Sequence, residues 1–218
     1  LQQALDATAV PREALQLIED SDRASVNEML TLNGLLDVII PRGGRSLIQN
    51  VVQNATVPVI ETGAGVCHTF LDATANVEMA EAITLNAKVQ RPSVCNSMET
   101  LLVHSDYAQA HLTGLAERFR DAGVELRGCA RTRELAPWAV SATEEDYGTE
   151  YNDYILNVKV VNNLDEVLEH IARYGTMHSE CIVTENKAHA ERFLQEVDAA
   201  AVYHNASTRF TDGFEFGF

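Results

Sequence analysis

The segment KVQRPSVCNSMET, residues 88–100, contains the residue with the clearest chemical potential in the sequence, Cys95. Most cysteines in soluble proteins are small buried hydrophobes, whereas this thiol lies in a polar, turn-like stretch between a predicted helix and a predicted strand. A thiolate becomes a useful nucleophile when donors or cations favour it, and Arg91 stands four residues earlier. The N–H groups of Cys95 and Asn96 are candidate donors to a developing oxyanion. On these residues alone, a nucleophile and an ordinary loop thiol both remain open.

The other three cysteines differ from Cys95 in their surroundings. Cys67, Cys129 and Cys181 stand in or beside apolar segments, which favours a role in the core. The four cysteines are widely spaced and include no C-x-x-C pair, so they do not suggest a disulfide framework. We therefore expect a reducing, cytoplasmic environment.

The segment IIPRGGRSL, residues 39–47, places Gly43 and Gly44 between a predicted strand and a predicted helix. Glycines there allow a ligand to approach the backbone, and the start of the following helix offers N–H groups to an anion. Arg42 adds a positive charge. The pattern is neither G-x-G-x-x-G nor a P-loop, so a simple tight turn is the alternative.

Glu61, in the segment VIETGAG, follows a predicted strand at its carboxyl end, where ligand crevices of open α/β sheets form. This carboxylate can act as a general base, a proton shuttle or a ribose ligand, or it can cap the glycine-rich turn. The seven histidines show no metal-ligand spacing, so we predict no metal site. No G-x-S-x-G motif supports a serine nucleophile.

The composition, 46% apolar and 22% charged residues over 218 residues, is that of an ordinary folded chain. A net charge of −16 argues against nucleic acid or an anionic membrane as partner. No apolar run approaches the ~20 residues needed to cross a bilayer. The chain opens on Leu-Gln-Gln and stops at FEFGF, so we expect a piece of a longer protein.

Apolar periodicity alternates between helix and strand along the chain, which predicts an α/β fold with mostly parallel sheets. The predicted helices are residues 21–33, with a Ser25-x-x-Glu28 capping box, 46–55, 76–90, 106–122, 164–174 and 186–197. The predicted strands are residues 35–40, 57–61, 69–71, 100–104, 124–128, 155–161, 180–184 and 200–205. Residues 130–153 are interpreted as a long loop or excursion. We expect the first two strands in one sheet and the later strands in another, with a hinge at residues 61–65.

Five segments, in order, resemble the gamma-glutamyl phosphate reductase family (glutamate-5-semialdehyde dehydrogenase), a branch of the aldehyde dehydrogenase superfamily. They are DVIIPRGG, VPVIETGAGVCH, AKVQRPSVCNSMETLLVH, TEYNDYILNVKVV and NASTRFTDGFEFGF. The stretch HIARYGTMHSECIV, residues 170–183, also resembles a signature of that family. One conservative departure is Val167, where the family suggests Ala.

The resemblance implies an aldehyde dehydrogenase-like fold, with part of a Rossmann-like cofactor domain and an α/β catalytic domain. Residues 1–62 correspond to the second half of the cofactor domain, and residues 63–218 to most of the catalytic domain. The first half of the cofactor domain and a C-terminal segment are absent from this sequence. We therefore expect the isolated chain to bind NADPH weakly or not at all.

The resemblance also assigns roles to residues. Cys95 matches the catalytic cysteine, and Glu61 matches a glutamate for which we expect proton shuttling. Gly43 and Gly44, with Arg42, correspond to a turn beside the nicotinamide end of the cofactor. Glu150 corresponds to a glutamate that contacts the nicotinamide ribose.

For the substrate, Arg209, Ser207 and Thr208, with Arg91, are candidates to hold the glutamate α-carboxylate, since a bidentate arginine suits that group. The alternative is that Arg209 ties a loop to the sheet. The implied reaction is NADPH-dependent reduction of L-glutamyl 5-phosphate to L-glutamate 5-semialdehyde, with phosphate release, through a cysteine thioester.

Two alternatives to this reaction remain open. One is an oxidising aldehyde dehydrogenase with a hydrolytic step, and the other is a non-catalytic interaction module. Glutamate 5-kinase is a possible partner, and we expect a homo-oligomer when the enzyme is complete.

Overall fold

The computed structural model describes residues 2–61 and 63–212. The chain divides into two compact units between residues 62 and 63. The α-helices are α1 (Gln2–Leu5), α2 (Arg23–Met29), α3 (Arg45–Asn54), α4 (Val77–Val89), α5 (Ser105–Tyr107), α6 (Thr113–Asp121), α7 (Ala130–Leu135), α8 (Glu144–Tyr147), α9 (Leu164–Tyr174) and α10 (Lys187–Glu196). The strands are β1 (Cys67–Leu71), β2 (Met98–His104), β3 (Glu125–Gly128), β4 (Val140–Ser141), β5 (Ile155–Val161), β6 (Ser179–Val183) and β7 (Ala201–His204). Short 3-10 turns span Arg12–Ala14 and Thr208–Phe210, and a π-helical turn spans Ala108–Leu112.

The larger unit contains a parallel sheet of seven strands in the order β4-β3-β5-β2-β1-β6-β7. Strands β1 and β6 are buried along their whole length, including the polar residues that interrupt their apolar sequences, His68, Thr69, Ser179 and Glu180. One face packs against α4 and the helical stretch 105–121, and the other against α9 and α10. The predicted second sheet is therefore confirmed, and β4 adds an edge strand to it.

Residues 130–153 contain more regular structure than the sequence indicates. Helix α7 follows β3, strand β4 pairs with β3, and α8 begins at a capping box formed by Thr143 and Asp146. The predicted helix over residues 106–122 is likewise interrupted by the π-helical turn. A two-residue strand and a local change of helix type leave no periodic signal in the sequence. The prediction of a long loop over residues 130–153 was therefore wrong.

In the smaller unit, two predicted strands are not formed. Residues 35–40 and 57–61 meet only at one isolated parallel bridge, between Ile39 and Val59. Leu35 and Ile40 are 78% and 58% exposed, although their apolar run suggested a buried strand. A parallel strand needs a continuous ladder of partners, and one bridge does not supply it.

Helix α2 begins at a different residue from the predicted one. Asp22 caps it by accepting a hydrogen bond from the Ala24 N–H at 3.0 Å. The predicted capping box at Ser25 was wrong, because Ser25 lies inside the helix and donates its hydroxyl to Asp20. Within the described part of the chain, no helix has the length and apolar character that a membrane span requires.

Candidate active site

Cys95 is exposed on the loop that joins α4 to β2. The residues that follow, Asn96 to Thr100, are all buried. A turn bond from the Ser97 N–H to the Val94 carbonyl, 3.0 Å, encloses Cys95. The thiol therefore lies at the amino edge of the sheet, where the chain passes from solvent into the buried strand β2.

Gly65 holds the backbone of Cys95 from the other side. A Cβ atom added at Gly65 would lie 1.6 Å from the Cys95 carbonyl oxygen and 3.0 Å from its Cα, so only glycine allows this close approach. The Gly65 N–H donates to Glu150 Oε1 at 3.0 Å. Gly65 thus contacts both Cys95, the predicted nucleophile, and Glu150, the predicted ribose ligand. The sequence had indicated only a hinge at this glycine.

Asn96 anchors the loop to the segment after β7. Its Nδ2 donates to the Thr211 carbonyl at 2.6 Å, its Oδ1 accepts from the Arg209 guanidinium, and its carbonyl accepts from the Thr208 hydroxyl at 2.8 Å. The Asn96 side chain therefore serves to hold the Cys95 loop against the segment that contains Arg209 and Thr211. Within residues 2–61 and 63–212, the N–H groups of Cys95 and Asn96 donate to no other group.

The predicted substrate residues lie beside this loop, but most of their polar atoms are occupied. Ser207 is buried and caps the 3-10 turn by accepting from the Arg209 N–H at 3.2 Å. Arg209 also donates its Nε–H to Gln90 Oε1 at 3.1 Å. These contacts favour the tying role of Arg209. Arg91 is exposed on the same loop as Cys95.

Cys67 and His178 lie behind the Cys95 loop. The Cys67 thiol is buried and donates to the Cys95 carbonyl at 3.3 Å. Burial raises its pKa well above that of an ordinary thiol, so it stays protonated. His178 Nδ1 lies 3.8 Å from Cys67 Sγ and 2.8 Å from the Ser179 hydroxyl, and burial lowers the pKa of this histidine. Among the cysteines, only Cys95 is exposed; Cys67 and Cys181 are buried as predicted, and Cys129 is half-buried.

A buried ion pair lies at the base of the same loop. Lys88 Nζ is 2.7 Å from Glu99 Oε2, and both side chains are fully buried. Sequence reasoning missed this pair, although a lysine in ITLNAKV and a glutamate in SMETLLV interrupt otherwise apolar stretches. Charged residues are almost never fully buried unless they are paired. A lysine and a glutamate within two predicted buried segments could therefore have indicated an ion pair.

Of the predicted cofactor residues, Gly43, Gly44 and Arg42 belong to the smaller unit, whereas Glu150 belongs to the larger unit. Gly44 caps α3, Gly43 packs against Leu47, and Arg42 and Glu61 are exposed. A cleft of about 420 Å³ lies between α2 and α3, and it is lined by Arg23, Val26, Asn27, Ser46, Leu47 and Asn50. Two parts of the sequence interpretation lie outside the described residues. They are Thr62, in the predicted hinge, and residues 213–218, in the last segment that resembles the family.

A second group of buried titratable residues lies on the sheet face that α9 covers. His68 Nδ1 is 3.0 Å from Glu180 Oε2, and the ring of His170 stands edge-on to that of His68, with 5.4 Å between centroids. Burial lowers the pKa of His170 to about 2, so this histidine is neutral. No cluster of three or more His, Cys, Asp or Glu residues suited to a metal occurs among the described residues.

The fold defines the class of protein first. An acetylating aldehyde dehydrogenase from Geobacillus thermoglucosidasius superposes on 99% of this chain with a TM-score of 0.75, at 17% identity and over 56% of its own length. The chain therefore has an aldehyde dehydrogenase-like α/β fold, as predicted. No family model matches the sequence.

Two further comparisons are more specific. The gamma-glutamyl phosphate reductase from Thermotoga maritima matches all of this chain with a TM-score of 0.92 and 52% identity, over 52% of its own length. The protein of the same name from Caldanaerobacter subterraneus subsp. tengcongensis is 59% identical over 218 residues, which are 53% of it. The chain is thus a relative of the gamma-glutamyl phosphate reductases, and the resemblance predicted from its motifs is confirmed. It spans about half the length of the curated relatives that it matches.

Proposed function

We propose that this chain supplies the nucleophile of a reductase that converts L-glutamyl 5-phosphate to L-glutamate 5-semialdehyde, the second step of proline biosynthesis from glutamate. The observation that carries the proposal is the exposed Cys95 thiol on a loop fixed through its backbone by Gly65 and Asn96. The similarity to named reductases over the whole chain supports the choice of substrate. Because relatives are about twice as long, the complete activity requires more than these residues.

The first chemical step is acyl transfer to sulfur. The Cys95 thiolate attacks the acyl carbon of the substrate, a C–S bond forms, and the C–O bond to phosphate breaks with release of phosphate. Phosphate is a good leaving group, so this step depends more on stabilising the oxyanion than on a strong acid. The available N–H groups of Cys95 and Asn96 are suited to that role. We assign Glu61 to proton transfer to and from the thiol.

The reductive half of the reaction requires a nicotinamide cofactor, which we propose is NADPH. The cleft between α2 and α3 fits part of a dinucleotide, because it combines the charge of Arg23 with apolar surface from Val26 and Leu47. Gly44, at the start of α3, has nothing within 4 Å of an added Cβ and leaves the backbone open to a phosphate group. When bound, NADPH supplies the hydride that reduces the thioester. The resulting thiohemiacetal on Cys95 then collapses to the aldehyde and the free thiolate.

Phosphate dependence tests this function. In a full-length reductase carrying this sequence, glutamate 5-semialdehyde should reduce NADP+ only when inorganic phosphate is present, because phosphate must cleave the thioester in the reverse direction. The reaction should yield an acyl phosphate that hydroxylamine traps as a hydroxamate. Equal rates without phosphate, with free glutamate as product, would instead establish the hydrolytic aldehyde dehydrogenase.

Three further proposals rest on the resemblance alone. We expect the complete enzyme to form a homo-oligomer and to associate with glutamate 5-kinase. Sedimentation velocity of the enzyme with and without the kinase measures both. We also expect calorimetry to detect little NADPH binding by the isolated 218-residue chain, because half of the dinucleotide domain is missing.

A further inference from the structure

The Lys88–Glu99 pair requires an explanation beyond stability. Taking two charges out of water costs several kcal/mol per ion, so a fully buried ion pair is often no more stable than apolar side chains of similar size. Lys88 lies in the last turn of α4, and Glu99 lies in β2. Both side chains are fully buried, with 2.7 Å between the charged atoms.

The position of the pair in the chain is informative. Lys88 and Glu99 are 11 residues apart, and the segment between them is the loop that presents Cys95. The ion pair therefore closes this loop at its base. A closed loop has fewer conformations, which keeps the thiol in one place.

The pair also reaches the segment on the other side of Cys95. Glu99 Oε1 accepts a long hydrogen bond, 3.4 Å, from the N–H of Asn152, a residue with a positive φ of 55°. Two residues earlier, Glu150 accepts the N–H of Gly65, and Gly65 packs on the Cys95 peptide. One glutamate thus connects the base of the nucleophile loop to the segment that holds Glu150.

We propose that the buried Lys88–Glu99 ion pair positions the Cys95 loop against the Glu150 segment and so determines the rate of the chemical step. Lys88 and Glu99 are positioning residues, since neither is exposed to substrate. The inference rests on the proposed role of Cys95 as nucleophile.

The electrostatics support this arrangement. Burial, together with the nearby charge of Glu150, raises the pKa of Glu99 to about 7, against the opposing effects of Lys88 and the Asn152 N–H. Burial lowers the pKa of Lys88, while Glu99, Asp153 and Cys67 act in the opposite direction. Glu99 is therefore ionised and paired above pH 7 and becomes protonated below it. The rate should fall on the acid side of pH 7 as the ion pair is lost.

The experiment compares four variants in a full-length reductase carrying this sequence: Lys88→Met, Glu99→Gln, the double variant Lys88→Met/Glu99→Leu, and Asp72→Asn. The double variant leaves no unpaired buried charge, so it should melt at or above the wild-type temperature. It should nevertheless lose about 10- to 100-fold in kcat, because small misplacements of reacting groups have effects of that size. KM for the acyl phosphate should stay within about twofold.

Asp72→Asn is the matched control for a carboxylate-to-amide change. Asp72 is 1% exposed and accepts from the Thr184 hydroxyl at 2.6 Å, but it follows β1 at the opposite edge of the sheet. Its variant should lose stability and keep the wild-type kcat. A double variant with both the stability and the kcat of the wild type would overturn the proposal, since the ion pair would then be structural only.

The pH profile gives an independent readout that uses the nearly isosteric Glu99→Gln. Its amide can still accept from Asn152, but it cannot titrate, so the acid limb below pH 7 should disappear from its kcat profile. A Glu99→Gln profile that keeps the wild-type acid limb would also overturn the proposal. A failure of the proposed function looks different, because Cys95→Ala would then retain turnover in the same assay.

Discussion

The two edges of the seven-stranded sheet use polar residues in opposite ways. Ligands of open α/β sheets usually bind at the carboxyl ends of the strands. Here the carboxyl edge is closed on itself: Asp72 accepts from the Thr184 hydroxyl at 2.6 Å and contacts His189 Nδ1 at 2.9 Å, while Asn205 accepts the Thr184 N–H. These contacts join the ends of β1, β6 and β7, and Asp72 Oδ1 is left without a hydrogen-bond partner among the described residues.

At the amino edge the polar contacts serve the backbone. Glu150 binds the N–H of Gly65, Cys67 binds the carbonyl of Cys95, and Thr208 binds the carbonyl of Asn96. The surrounding groups fix the peptide chain and leave one thiol exposed. The difference teaches that density of polar residues does not identify a reactive site. We propose that an exposed thiol on a backbone held at several points is the better indicator.

The strongest test of this comparison is Cys95→Ala. In a full-length reductase carrying this sequence, it should lower semialdehyde formation by at least about 10³-fold, because no other thiol is exposed among the described residues. Its free energy of unfolding should change by less than about 0.5 kcal/mol, since an exposed loop side chain contributes little packing. Steady-state rates and thermal melts measure both, and near-normal turnover would remove Cys95 from the mechanism.

Gly65→Ala should have the next largest effect. The added methyl group meets the Cys95 carbonyl at 1.6 Å, so the loop must move, and we expect about 10- to 100-fold loss of kcat. Gly63→Ala is the matched control, because its Cβ meets nothing within 4 Å. Iodoacetamide labelling followed by peptide mass spectrometry reports the loop directly. Cys95 should be labelled first in the wild type and at an altered rate in Gly65→Ala only.

The pH dependence of stability tests the buried histidine behind β1. With a pKa of about 2 in the folded state against 6.5 unfolded, His170 contributes stability above pH 6.5 that is lost as the pH falls. Glu99 acts with the opposite sign, because its raised pKa favours the folded state at low pH. His170→Phe should therefore lower the slope of unfolding free energy against pH, between pH 5 and 6, by about 1 kcal/mol per unit. Urea melts across this range would show an unchanged slope if His170 were already protonated.

The smallest expected effect is that of Cys181→Ala. Its side chain is fully buried in β6, so removing the sulfur should destabilise the protein by about 1–2 kcal/mol. Turnover should stay within about twofold, since the Cys181 sulfur bonds the N–H of Ala206 and not Cys95 or Gly65. A rate loss as large as that of Gly65→Ala would show that the core and the edge are not independent.

Sequence alone predicted the regular part of the larger unit well. Strand β5 and helix α9 have the predicted bounds, because long apolar periodicity decides both. The predicted strand over residues 35–40 was wrong, because an apolar run does not reveal whether a partner strand is present. The motif around Cys95 identified the nucleophile candidate, but Gly65 and the Lys88–Glu99 pair were missed. Their importance arises from contacts between distant segments, which no local pattern records.

The anchoring of Asn96 has a consequence for protein synthesis. The Thr208 hydroxyl that binds its carbonyl belongs to a residue 112 positions later in the chain. At about 5–20 residues per second, a ribosome needs roughly 6–22 s to add those residues. During that interval the Cys95 segment has been translated without its final restraint. The nascent chain therefore carries the Cys95 thiol well before the structure that gives this thiol a fixed position.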